Sequence, residues 1–520
     1  MKNCNSFPCL LICCFLSLST VLLVAGANSK LHAQDGRSCV GITAWNLGNF
    51  RLTETYVDTD VPDGFDCSSL LVDRFTGGGL ESIRFGGLRR VIGEGFDPDS
   101  LLDDFLDAEA AGTTITGDFT NFGAELSFTQ FDAGLSVNRF ENQGIWQFLD
   151  DSSVTGLLGE DSSQQFFNQN VFRKSGGTGI SNVNIGFVDS GGQIDVQSGT
   201  ISFNSDTAFT GTSFSGDGNI LLGGQTTLSG VSLTSGFSNA GDTIIQSNIV
   251  AVGESSFRNL DGGSITLSGG SGFLLATDAV GTLTNDTGGS LGKIGGSTSA
   301  VQWDVVNNGN IDVEEGNLIL TGDVSGTGTT TVFSGSALQV NSTTFQQTTL
   351  QLFGVGGLDF NGERLEVENF IGDFNHDQGV FAPGASPAQS QILGDYTLSG
   401  SSILEIELAG VLGGEFDQLN ISGDTALNGR LLSVVTLDGF EVTIGDTFDI
   451  LTIDGERIGE FGGLEEGALV GNFGVDLFIT YSSGDGNDIS LFTVAVPEPS
   501  SAVTLLLGAL LLARTRRRTN

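Results

Sequence analysis

The chain has 520 residues, 16% of them charged, and a formal net charge of −42. Its 78 glycines follow no three-residue period and come with only 7 prolines, which excludes collagen, and an apolar fraction of 39% excludes a disordered polymer. So acidic a surface repels nucleic acid and anionic membranes, leaving an all-β, turn-rich protein of roughly two to four domains with no nucleic-acid partner.

Residues 1–27 read as a signal peptide. Lys2 supplies the basic start, "LLICCFLSLSTVLLVAG" the apolar core, and Ala25 and Ala27 a small-x-small cleavage site before Asn28. A second such site follows Ala33, and an uncleaved membrane helix is the alternative. Cys4, Cys9, Cys13 and Cys14 leave with this segment. Cys39 and Cys67 remain in a compartment where disulfides persist, so a bridge between them is expected, with two free thiols as the alternative.

Residues 28–140 read as mostly β with one short helix, 97–111. Asp97 can cap it, Pro98 sits at its first position, and Gly112 can end it. Leu101, Leu102, Phe105 and Leu106 then share one face.

From residue 141 to 384 a loose unit recurs: a short polar residue or Gly, one residue, Gly, one further residue, then two apolar positions separated by one. It fits fully at Asn142, Ser190, Gly216, Asp261, Asn307 and Gly354, and in part at Asn168, Asn239, Thr287, Gly326 and Asp377. "IDVQSGTISF" from Ile194 and "IDVEEGNLIL" from Ile311 are its clearest pair. A turn and a half-buried strand every ~23 residues suits the coil of a parallel β-helix, about eleven coils in all, with the scattered Phe stacked inside. A string of antiparallel sandwiches is the competing architecture. Residues 385–495, with "SSILEIELAG", "FDQLNISG", "DTFDILTI" and "VDLFITYSS", alternate more densely and read as a separate, smaller antiparallel β domain.

No catalytic, cofactor or metal residue can be assigned. His32 lies at the exported N-terminus, and His376 reads as standing alone in a loop, so neither a zinc set nor a Ser/His/Asp trio is available. "DFNHDQG" (Asp373, Asn375, Asp377) begins like a calcium loop, but Gln378 and Gly384 stand where Gly and Glu belong. "GDGND" at 484–488 resembles a single calcium repeat without its stacked partner. Turn chemistry explains both.

The chain closes with "VPEPSSAVTLLLGALLLARTRRRTN". Pro497, Glu498 and Pro499, the apolar run 502–513, and Arg514, Arg516, Arg517 and Arg518 closely resemble the PEP-CTERM sorting signal. That resemblance implies export, transient retention in the inner membrane, and processing near 497–499 by an exosortase-like membrane enzyme. Delivery to the cell surface or an extracellular polysaccharide matrix would follow. The physics agrees: the apolar run would span about 18 Å as a helix against a ~30 Å hydrocarbon layer, a temporary stop rather than a lasting anchor. The arginines would stay cytoplasmic. Residues 170–203 also look like glycine-rich repeats of autotransporter-type surface proteins, and 379–429 is similar to a β module found before PEP-CTERM tails. The expected function is therefore non-catalytic, structural or adhesive, and associated with exopolysaccharide. A β-helical polysaccharide lyase or glycosidase, and a calcium-dependent adhesin, are the alternatives.

Overall fold

The computed structural model describes residues 140–156, 164–385 and 387–494 in full, and before them the backbone of the strands between Trp45 and Arg139. Ala25, Ala27, Cys39, Cys67, the expected helix 97–111, Pro497, Glu498, Pro499, Arg514, Arg516, Arg517 and Arg518 lie outside the described residues. Every element described is a β-strand. The chain divides into two compact units, the first ending at Gln339 with a return at 355–357, the second beginning at Val340.

The first unit is a parallel β-solenoid with three strands per coil. Face A runs through Gln165–Asn168, Gly186–Ser190 and Thr207–Thr210. Face B runs through Val171–Lys174, Gln193–Val196 and Ser213–Ser215. Face C runs through Ile180–Asn184, Thr200–Phe203 and Asn219–Leu222. Each strand thus pairs in parallel with the third strand before and after it. Alternation explains the packing: in Thr200–Phe203 the side chains of Ile201 and Phe203 are fully buried, as period-2 geometry requires of one sheet face. Parallel pairing also extends upstream of the residue-141 boundary, to Thr113–Thr116 with Ala133–Ser136 and to Gly79–Phe85 with Glu125–Phe128.

The coil is shorter and less even than the sequence repeat. On face A the register steps from Val188 to Asp312 by 20, 19, 17, 22, 26 and 20 residues. That places six coils where the repeat counts five between Ser190 and Asn307. The reason is physical: a turn-Gly-strand unit is needed at every corner, not once per coil. Ile194 accordingly sits on face B and Ile311 on face A, so the two matching stretches occupy different sides. Gly216 marks one such corner. It has φ 99°, and a Cβ there would lie 2.1 Å from the Val196 carbonyl of the coil before.

Aromatic rings fill the interior in a continuous file. From Phe140 through Phe166, Phe187, Phe203, Phe209, Phe214, Phe237, Phe257 and Phe273 to Trp303, successive centroids are 4.5–5.7 Å apart. Beside it runs a polar file that the sequence reading missed. On face C, Asn239 Nδ2 donates to Asn259 Oδ1, Asn259 to Asn285 and Asn285 to Asn307, at 2.8, 2.8 and 2.7 Å. All four are fully buried. Asn259 Nδ2 also bonds the carbonyls of Gly263 and Ser290, so each amide ties its own corner to the next coil. Asn259→Ala is therefore expected to cost about 2–3 kcal/mol, because it orphans buried groups on both sides. The urea midpoint of tryptophan fluorescence checks this, since Trp146 and Trp303 both lie in this unit.

The second unit repeats the three-strand coil. One ladder joins Arg364–Ile371, Val380–Pro383, Ile403–Leu408 and Leu431–Thr436. A second joins Arg364–Ile371, Gln389–Leu393, Gln418–Ile421 and Thr447–Ile453. A third joins Phe374–His376, Tyr396–Leu398, Thr425–Ala426 and Arg457–Ile458. The expected change at residue 385 to antiparallel pairing is thus displaced. Parallel coils run on to Ile458, and the antiparallel sheet is the terminal one, in which Asp488–Thr493 pairs with Thr447–Ile453 and Asp476–Ser483. Alternating apolar residues read identically in both arrangements; only the order of strand partners separates them.

One corner of this unit is a carboxylate ladder. Asp373 accepts the Asp395 N–H (3.1 Å), Asp395 the Asp424 N–H (2.8 Å), and Asp424 the Glu456 N–H (2.8 Å). The glycine before each is obligatory, for a Cβ on Gly394 or Gly423 would meet the preceding coil's glycine carbonyl at 2.3 or 2.5 Å.

Candidate functional site

Charged side chains of the second unit converge on Arg364. It starts its strand opposite Val380, and Val380 in turn lies opposite Ile403, so its outward side chain crosses a whole strand. The intervening Ala382 is small enough to be crossed, and is fully buried. Nε donates to Glu366 Oε1 at 2.5 Å, one terminal nitrogen to Glu405 Oε1 at 2.6 Å, and the other to Glu407 Oε1 at 3.2 Å. The guanidinium fork suits such multiple carboxylate contacts better than an ammonium would.

Behind this fork lies Asp417, fully buried. Its Oδ1 accepts the Ala388 N–H and its Oδ2 the Glu407 N–H, both at 2.8 Å, while its own N–H donates to the Glu407 carbonyl. Burial pushes its pKa up to about 7, with Glu407 adding to the rise and the two N–H donors and Arg364 opposing it. Burial opposes the charge on Arg364, but its carboxylate partners outweigh that and hold it firmly protonated. Glu407 Oε2 is buried without a hydrogen-bond partner. The arrangement is an ionic clasp across three strands. Asp417 holds a proton near neutrality but has no solvent face, while Glu366 and Glu405 each keep 17% of their side chains open.

His376 is not in a loop. It ends the strand Phe374–His376, buried among Phe374, Phe381 and Tyr396. Nε2–H donates to the Gly379 carbonyl at 3.1 Å, which fixes the tautomer and leaves Nδ1 to accept the Tyr396 hydroxyl at 3.2 Å. Burial pushes its pKa down to about 4, against smaller opposing effects of Gly379, Gln378 and Asp377. An unfolded histidine titrates near 6.5, so this contribution to stability is complete above pH 6.5 and is lost as pH falls towards 4, about 3 kcal/mol in all. Asp417 runs the other way: its contribution is complete below the unfolded value of 3.8 and is lost as pH rises towards 7. Asp417→Asn is expected to steepen the loss of stability on acidification, and the His376 ring to titrate near 4 by NMR. A His376 value near 6.5 would refute the assignment.

Of the calcium-like stretches, the first is the strand Phe374–His376 between two corners and the second is a turn. Asp373 belongs to the corner ladder, and the Asp377 carbonyl accepts the Ser401 N–H. In 484–488, Asp488 Oδ1 accepts the Ile453 N–H, and Asn487 donates to the carbonyls of Ile453 and Gly455. Among the described residues, no group of three or more His, Cys, Asp or Glu side chains is placed to hold a metal ion, and no helix is long and apolar enough to cross a membrane.

The first unit offers a different feature, a polar row on face C. Register places Thr200, Asn219, Gly236, Ser256, Thr282 and Asp304 one above another. Asn219, Ser256, Thr282 and Asp304 are exposed, and strand pairing spaces such groups about 4.8 Å apart. No family model, curated protein or solved structure matches the chain.

Proposed function

We propose that the protein is an exported, non-catalytic structural or adhesive component of the cell surface or extracellular matrix, associated with exopolysaccharide and sorted by a PEP-CTERM/exosortase-type system. The observation that carries the reading is the face C row. A polysaccharide repeats its hydroxyls along one axis, and a row of amide, hydroxyl and carboxylate groups, interrupted only at Gly236, meets such a ligand repeatedly, each contact weak and the sum strong. The terminal segment 496–520 supports the address: its run of 12 residues is short for a permanent span, and its arginines favour the cytoplasmic side.

Two measurements test it. Ser256→Lys with Thr282→Lys is expected to abolish co-sedimentation with isolated exopolysaccharide while leaving folding intact; unchanged binding removes the row from the proposal. Neutral replacements at Arg514, Arg516, Arg517 and Arg518 are expected to misplace the protein. Intact mass of the extracellular form then reports whether the tail has been cut near 497–499, and delivery that ignores the replacements overturns the sorting assignment.

A further inference from the structure

Where glycine follows asparagine, no side chain screens the next peptide nitrogen, and the main chain can attack the asparagine's own amide. The chain has three such pairs, Asn308–Gly309, Asn361–Gly362 and Asn428–Gly429, and the fold treats them differently. Asn428 and Gly429 have φ 51° and 69°, the two left-handed positions of a tight turn. There the Gly429 N–H donates to the Glu460 carbonyl (3.0 Å) and Asn428 Nδ2 to the Leu398 carbonyl (2.8 Å), so the attacking and the departing nitrogen are both held. Asn308 is bonded the other way round. Its Oδ1 accepts the N–H and the hydroxyl of Thr327 in the next coil, at 3.1 and 3.3 Å. Among the described residues, neither the Asn308 amide nitrogen nor the Gly309 N–H has an acceptor in the chain. Asn361 is intermediate, its Oδ1 accepting from Gln378 Nε2 alone.

We propose that Asn308 is a site of spontaneous modification, converting to isoaspartate and aspartate through a cyclic imide. The Gly309 nitrogen gives its proton to water and attacks Asn308 Cγ, forming the ring C–N bond. Negative charge collects on Oδ1, where the two Thr327 donors already point, the arrangement of an oxyanion hole. The Cγ–Nδ2 bond then breaks, ammonia leaves with a proton from water, and a water molecule opens the imide at either carbonyl. Opening at the main-chain carbonyl leaves isoaspartate, which routes the backbone through the side chain and lengthens it by one carbon. This corner has no room for that. A Cβ on Gly309 would already lie 2.2 Å from the Gly289 carbonyl, which accepts the Asn310 N–H. The added carbon therefore displaces the coil that carries Asn307, which accepts the last bond of the buried asparagine file.

The full chain in a non-ionic detergent, held at neutral pH in water labelled with heavy oxygen, tests the proposal. Imide opening places one heavy oxygen in the product, and fragment mass spectrometry locates it and separates isoaspartate from aspartate. In the folded chain, label is expected first at 308, more slowly at 361 and last at 428; in the urea-unfolded chain the three rates should converge. Thr327→Val keeps the N–H and the side-chain shape but removes the hydroxyl. It should slow conversion at 308 roughly tenfold, less than in a dry enzyme site, and leave 361 unchanged. The converted chain should unfold at lower urea by tryptophan fluorescence. Conversion at 308 no faster than at 428 in the folded chain overturns the proposal, as does a rate at 308 that ignores Thr327→Val. An unchanged urea midpoint overturns the displacement assigned to the added carbon.

Discussion

Arg364→Met lowers the stability of the second unit by about 3–5 kcal/mol at pH 7, the largest single-charge effect expected here. Methionine keeps the apolar stem that crosses Ala382 but removes the countercharge of Glu366, Glu405 and Glu407, the last with only 9% of its side chain exposed. Removing one partner of a buried ion network costs more than the network contributes, because the remaining charges stay desolvated. The loss should shrink as pH falls, since protonation relieves the stranded carboxylates, and Arg364→Lys should fall between wild type and methionine. Tyrosine signals report mainly on this unit, because Tyr396 and Tyr481 lie in it and Tyr56 alone lies in the first, together with Trp45, Trp146 and Trp303. An unchanged tyrosine-detected urea midpoint at pH 7 would sink the clasp.

Trp303→Ala should cost the first unit about 3–5 kcal/mol, through the cavity left at the end of the aromatic file and the loss of the Nε1–H bond to the Leu274 carbonyl (2.9 Å). The informative companion is Gly281→Ala. A Cβ at position 281 would lie 2.3 Å from the indole, so glycine is what admits the tryptophan. Alone, Gly281→Ala should cost about 1–3 kcal/mol by overpacking. Combined with Trp303→Ala the two costs should fall short of their sum, because the shortened side chain removes the clash. Strict additivity in tryptophan-free readouts such as far-UV circular dichroism would refute the contact.

The solenoid was legible because its causes are local. Period-2 burial, as in Ile201 and Phe203, and glycine at corners, as in Gly216, can be read from neighbouring residues. Which side of the coil a strand occupies was not legible, since Ile194 and Ile311 sit in near-identical strings on different faces. The Arg364 clasp was out of reach for a related reason. Its partners Glu405 and Glu407 stand 41 and 43 residues away, and only the register across Val380–Pro383 brings them together. The buried asparagines looked like turn residues. Their shared position two residues after a strand's buried apolar residue, in "FSN", "FRN", "LTN" and "VVN", was a usable signal. So was the repeated Gly-Asp at 372–373, 394–395 and 423–424, of which only the first was noticed, and then as part of a calcium-like stretch rather than of a ladder. His376 was misplaced because a lone histidine between an Asn and an Asp reads as exposed, whereas alternation from Phe374 carries it inside.

The way coils join in the first unit has a mechanical consequence. Every strand of faces A, B and C bonds to the coil before and the coil after, so the hydrogen bonds point along the direction in which coils stack. Tension in that direction pulls these bonds straight apart, and sideways load shears them. A molecule stretched between two attachments would therefore yield by peeling single coils, each releasing 17 to 26 residues of slack on the steps from Val188 to Asp312. At about 3.4 Å per residue that is roughly 60–90 Å per event, a graded tether that lengthens under load instead of snapping.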